Sequence, residues 1–185
     1  MPLSTVRYFL TLTFLFLLNS RIYAQGTPAT LDEQNGFLGA TFEREWNTFQ
    51  HLTSLNCSPV EGADVSCYTG SIEGLTLGTT TLQTIQYTFY KNSLAAITVT
   101  LKGTKNIAAF CQSLQEVYGP GTHSAEAPTE VEWNGERVHM AYNLVQGETK
   151  YEPVLRLVVR SKAQMTRYQA AQLEARRATT QQSLD

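Results

Sequence analysis

The chain predicts an α+β fold built on an antiparallel sheet, and three observations carry that expectation. Residues 81–90 and 94–102 alternate apolar and polar side chains with period two. Asn134-Gly135 stands between two further alternating stretches, and an amphipathic helix pattern separates the two groups. Connections of a few residues join antiparallel strands, whereas parallel strands need crossovers of about a dozen. The predicted order is α-βββ(β)-α-βββ-α, two meander or hairpin groups with amphipathic helices packed on one face.

A first helix is predicted from Thr41, because Phe42, Trp46, Phe49 and Leu52 recur at three- and four-residue spacing behind a possible N-cap. Val65 and Cys67 alternate with polar neighbours, and Leu75 and Leu77 suggest another brief strand. In the first clear hairpin, Ile85, Tyr87 and Phe89 must share a face with Ala95, Ile97, Val99 and Leu101. A three-residue loop, Lys91-Asn92-Ser93, achieves this by pairing Tyr87 with Ile97 and Ile85 with Val99, with positive φ at Asn92 or Ser93. Ile107, Phe110, Cys111, Leu114, Val117 and Tyr118 form the stripe of a second helix that starts near Thr104 and stops at Gly119-Pro120-Gly121.

Asn-Gly is a strong hairpin signal, since both central residues of a type I′ turn take positive φ. Centred on Asn134-Gly135, the register places Val131 opposite Val138, Glu132 opposite Arg137 and Glu130 opposite His139, with Trp133, Met140, Tyr142 and Leu144 on the apolar side. A last strand over 151–160 carries Leu155, Leu157 and Val159 and follows a turn at Gln146-Gly147-Glu148. Ser161, with Gln164 three residues on, can open a C-terminal helix that Met165, Tyr168 and Leu173 dock.

The ends read differently. Arg7, the apolar run 8–18 and a polar stretch ending at Ala24 have the order of a secretory signal peptide over 1–24, and the run is too short for the roughly 20 residues of a membrane-spanning helix. Residues 25–36, broken by Gly26, Pro28 and Asn35-Gly36, suggest a flexible leader; 37–178 form the α+β domain, possible as two tandem modules; and 179–185 suggest a disordered tail. The mature chain is then expected in the periplasm or secreted, with no transmembrane segment.

Among the 185 residues, 9 Tyr, 8 Phe and 2 Trp supply enough apolar surface for a core, and the net charge of -2 gives no global attraction to nucleic acid. The chain has 3 cysteines. Cys57 and Cys67 flank a turn-rich loop and are expected to form a disulfide, as export to an oxidising compartment permits. Cys111 lies on the helical stripe and is expected to stay a free thiol.

A resemblance follows from particular residues. Gly36-Phe37-Leu38-Gly39, Tyr87-Thr88-Phe89-Tyr90-Lys91 with Leu94 and Val99, then Phe110, Leu114 and Tyr118-Gly119-Pro120, and finally Trp133 form a pattern that resembles a group of exported bacterial domains of uncharacterised function. The resemblance spans about 36–160 and implies compartment and fold, with no catalytic residues. The helix-plus-strands order is also similar to the tandem small modules of secreted β-lactamase-inhibitor-like proteins.

Sites are few. The chain has no phosphate-binding glycine loop, nucleophile elbow, His-Glu-x-x-His or Cys-x-x-Cys motif, and His51, His123 and His139 fall on separate elements, so neither a metal nor a cofactor is expected. Glu130, opposite His139 in the expected register, could serve as a general acid/base pair, though a cross-strand pair of opposite charges explains the two more simply. Thr84, Gln86, Thr88 and Tyr90, with Thr98, Thr100 and Lys102, share the polar face of the first hairpin and form the candidate ligand or partner face; Lys162, Arg167, Arg176 and Arg177 make the C-terminal helix basic. The leading expectation is an exported, non-enzymatic domain that binds another envelope or extracellular protein or a small ligand. The rivals are a small hydrolase or transferase using Glu130 and His139, and an assembly accessory that adds its sheet edge to a partner's strand.

Overall fold

Alternation along the chain builds the sheet as expected, and a computed structural model describes residues 27–57, 64–73, 75–123, 129–147 and 152–182; the signal segment read over 1–24 lies outside them. The described elements are α1 (Pro28–Gln34), β1 (Gly36–Phe37), β2 (Ala40–Thr41), β3 (Thr53–Leu55), β4 (Val65–Thr69), β5 (Thr84–Tyr90), β6 (Ser93–Lys102), α2 (Thr104–Tyr118), β7 (Thr122–His123), β8 (Val131–Asn134), β9 (Val138–Gln146), β10 (Pro153–Ser161) and α3 (Lys162–Gln182). Apart from the β1–β2 hairpin, they form one antiparallel sheet of 8 strands in the order β3-β4-β5-β6-β10-β9-β8-β7. The two strand groups meet where β10 pairs with β6, Leu157 opposite Val99 and Val159 opposite Ile97.

One face of this sheet is the core. Ile85, Phe89, Ile97, Val99, Leu101, Leu155, Leu157, Val159, Val138 and Met140 are sealed from solvent, and Ile107, Phe110, Leu114 and Tyr118 of α2 pack onto them. The helical stripe and the strand alternation therefore meet where the sequence puts them.

The segment expected as a flexible leader is ordered from Thr27. Pro28 opens α1, where its fixed φ suits the first turn, and Asn35 at φ 41 closes it. Leu31 is fully buried. A single apolar residue gives no periodicity to read, so this anchor is invisible until the core is assembled.

The helix expected from Thr41 does not form. Thr41 ends β2, Glu43 takes φ 68, a short 3-10 turn spans Trp46–Thr48, and His51 takes φ 57. The backbone is claimed instead by the β5–β6 turn: the Glu43 N–H donates to the Leu94 carbonyl, the Leu94 N–H to that of Arg44, and the Trp46 N–H to that of Asn92. The helically spaced apolar residues find separate partners. Phe42 is buried, Phe49 packs edge-on against Phe89 at 5.4 Å, and Trp46 stacks on Tyr68 at 6.0 Å. Leu75 and Leu77, expected on a strand, lie in a loop over the core, because β5 already occupies the free edge of β4.

The first hairpin has the expected register by a different route. Ile85 faces Val99 and Tyr87 faces Ile97, but the turn holds two residues, Lys91 and Asn92, both with positive φ, while Ser93 pairs with Tyr90. A bulge restores the faces. Phe89 pairs with Leu94 and Thr88 with Ala96, so Ala95 is the extra residue and Leu94, not Ala95, takes the core position.

The second hairpin slips along β9. Val131 faces Tyr142 rather than Val138, and Asn134 faces His139, so the turn is centred on Glu136-Arg137 and not on Asn134-Gly135. An even slip keeps every side chain on its face, which is why Trp133, Val138 and Met140 are still buried. Leu144 ends up beyond the core and is exposed. The turn is held by groups from outside the hairpin. Asp32 of α1 accepts the N–H groups of Glu136, Arg137 and Val138 at 2.5 to 2.9 Å, and the Lys162 ammonium donates to the Gly135 carbonyl. Gly135 is needed because the Asp32 carboxylate occupies the space of a Cβ.

α3 departs from the expectation of helices on one face. Ser161, almost fully buried, accepts the Gln164 N–H at 3.3 Å, and the helix crosses the polar face opposite α1 and α2. It continues through Gln182, past the expected start of disorder at 179, although its side chains are exposed from Arg176 to Gln181. Ala, Arg and Gln favour helix, and Thr179 and Thr180 fold their hydroxyls back onto carbonyls one turn earlier.

Cys57 and Cys67 form the expected disulfide, with Cα atoms 5.6 Å apart. Cys57→Ser is expected to lower stability by about 2 to 3 kcal/mol in urea titration, since the closed loop is short and the bridge acts chiefly on the unfolded chain.

Candidate functional site

The polar face of the sheet is the site that the alternation creates. On β5, β6 and β10 the positions between core residues carry Gln86 and Thr88, then Ala96, Thr98 and Thr100, then Arg156, Val158 and Arg160. α3 lays Met165 and Tyr168 across one end, and a groove of about 220 Å³ opens between helix and strands, lined also by Val65, Tyr90 and Ala95. The bulge matters here. It places two small residues, Ala95 and Ala96, beneath the helix, where larger side chains would lift it from the sheet.

Four of the six expected face residues, Gln86, Thr88, Tyr90 and Thr98, converge on this groove. Tyr90 is not a solvent-facing residue, being only 3% exposed, because the Tyr168 ring packs against it edge-on at 5.6 Å. Thr84 and Thr100 lie beyond the groove and hydrogen-bond to each other at 2.5 Å. Lys102 stands past Thr100 on the same face, opposite Val154. Arg156 and Arg160 complete the site, and composition alone does not single them out: only the β6–β10 pairing sets them opposite Thr100 and Ala96, on either side of Thr98. Both are exposed, and neither side chain forms an ion pair or hydrogen bond among the described residues. None of the positions that β4, β5, β6 and β10 present to this face is acidic.

Glu130 and His139 are not brought together. The shifted hairpin leaves Glu130 before β8, and His139 bonds Glu132 diagonally across the strands, Nε2 to Oε2 at 3.1 Å. Both groups are about a quarter exposed on an open strand face. His51 and His123 lie on other elements, and no group of three metal-ligating side chains gathers among the described residues.

A larger cavity of about 510 Å³ lies on the other side, between the β1–β2 hairpin, the loop with Leu75 and Leu77, and the end of α2. The Tyr118 hydroxyl at its edge already donates to Gln34 Oε1 at 2.9 Å, and burial pushes its pKa up to about 12. With no charged side chain in the lining among the described residues, this cavity has little with which to orient a ligand.

Cys111 is a half-buried free thiol whose pKa burial pushes up. Its thiolate population is therefore suppressed at neutral pH. In intact-mass measurements, alkylation of the native protein is expected to be much slower than in urea and to reach one thiol per chain on unfolding; rapid native labelling would contradict this placement.

In comparisons with family models, curated proteins and solved structures, none matches this chain.

Proposed function

We propose that the protein is an exported, non-enzymatic binding domain whose ligand lies in the groove between α3 and the polar face of β5, β6 and β10. One observation carries this reading: residues from four strands and a helix converge on one concave surface with hydroxyl, amide and guanidinium groups facing it. The likeness to exported bacterial domains belongs to the same proposal, as does the periplasmic or extracellular location. Catalysis is disfavoured by the separation of Glu130 from His139. Edge addition is disfavoured by the outermost strands, which span only Thr53–Leu55 and Thr122–His123 and leave little backbone to pair.

The test is a thermal-shift screen of envelope extracts and small ligands against wild type and Thr98→Trp, which fills the groove from its floor on β6, with the melting temperature of the unliganded variant measured alongside. Ligands that raise the melting temperature of the wild type and not of the variant support the reading. Stabilisation unaffected by Thr98→Trp, or turnover of a hit that His139→Gln abolishes, would contradict it.

A further inference from the structure

We infer that the groove receives an extended, acidic segment of a partner protein, one that carries acid, apolar and acid side chains at alternate positions. This rests on the binding reading above and specifies its ligand. Along β10, Arg156, Val158 and Arg160 face the groove in that order. Alternate residues of a strand lie about 6.7 Å apart, so the two arginine Cα atoms are separated by about 13 Å, too far to converge on one small anion without folding both side chains inward. An extended peptide has the same repeat. Its residues i and i+4 can each meet a guanidinium while residue i+2 rests on Val158, Thr98 and Met165.

Charge supports the assignment. The chain as a whole has a net charge of -2, yet this face presents Arg156, Arg160 and Lys102 with no acid beside them on β4, β5, β6 or β10. Of the carboxylates around this face, Glu132 on β8 is engaged by His139, and Glu152 stands just before β10, four residues from Arg156. Arginine forks bind carboxylates in a bidentate manner, and two unpaired forks at opposite ends of a groove define both the charge and the spacing of the ligand's acids. Thr88, Thr98 and Gln86 then remain to hydrogen-bond the peptide backbone, which the sheet edges do not reach from this face.

The probe is a fluorescein-labelled peptide, Ser-Glu-Thr-Leu-Thr-Glu-Ser, followed by anisotropy against the full chain. Binding is expected to weaken with salt, to fall about tenfold with Arg156→Gln or Arg160→Gln, and to fall similarly when the two peptide glutamates become glutamine. Arg176→Gln, on the exposed end of α3, is expected to leave it unchanged. Both arginines are exposed, so the variants should retain the wild-type melting temperature, which is measured alongside. Peptide binding insensitive to both arginine variants, or no peptide binding at all, would overturn the inference. So would binding of polygalacturonate in place of the peptide, which would assign the groove to an anionic glycan. In each case ligands displaced by Thr98→Trp would keep the binding reading standing, whereas an absence of any such ligand would remove both.

Discussion

Trp133→Ala is expected to destabilise the fold by about 4 kcal/mol, the largest effect of any single substitution considered, because it empties a large core volume and breaks a buried hydrogen bond together. The ring is 1% exposed, packs near Tyr142 with centroids 6.0 Å apart, and donates its Nε1 proton to the Gly119 carbonyl at 2.8 Å. It ties the hairpin of β8 and β9 to the loop that ends α2. Gly121 belongs to the same arrangement, since a Cβ there would meet Val131 and the Trp133 ring at 2.5 to 3.0 Å. Trp133→Phe separates the two contributions. It keeps most of the volume and orphans the Gly119 carbonyl, so a loss of about 1 to 2 kcal/mol is expected in urea titration. Equal losses for the two variants would show that packing contributes little.

Asp32→Ala is expected to remove about 3 kcal/mol, about 1 for each of the three backbone N–H groups that lose their acceptor, after allowance for their partial exposure. The effect should depend on pH. Partial burial acts to raise the Asp32 pKa, but its bonds to the Arg137, Val138 and Glu136 N–H groups and the Lys162 charge outweigh burial and hold the carboxyl below its ordinary value. A pKa lower in the folded than in the unfolded chain means that this stabilisation is complete above the unfolded value of about 3.9 and is lost as pH falls through the folded one. The difference in stability between wild type and Asp32→Ala should therefore be constant near neutrality and narrow in acid. A difference that persists undiminished in strong acid would show that the carboxylate charge is not what holds the turn.

These two residues also mark how much the sequence discloses. The faces of β5, β6, β9 and β10 and the stripe of α2 were legible because each repeats its signal over several turns or strand pairs, and burial of Ile85, Ile97, Phe110, Leu155 and Leu157 follows from period alone. Register at the hairpin ends was not. Asn134-Gly135 carries the chemistry of a type I′ turn, yet the glycine answers to Asp32, a residue about a hundred positions earlier, and no local pattern announces that contact. The same cause hid α1 and mimicked a helix after Thr41: isolated aromatic side chains, each with its own distant partner, can fall by chance at helical spacing. The candidate site was half visible. Thr88 and Thr98 could be placed on a polar face, but Arg156 and Arg160 joined it only once β10 paired with β6, and the position of α3 was beyond reach because its apolar residues are few.

The polar face beneath α3 stands at the centre of this account, and an amide NMR titration of the full chain with the acidic heptapeptide tests it most directly. Shifts are expected to cluster on residues 86–90, 95–98, 156–160 and 165–168, at both walls and the floor of the groove. A cluster on Phe37, Leu38, Leu75, Leu77 and Val117, around the larger cavity on the opposite side, would contradict it.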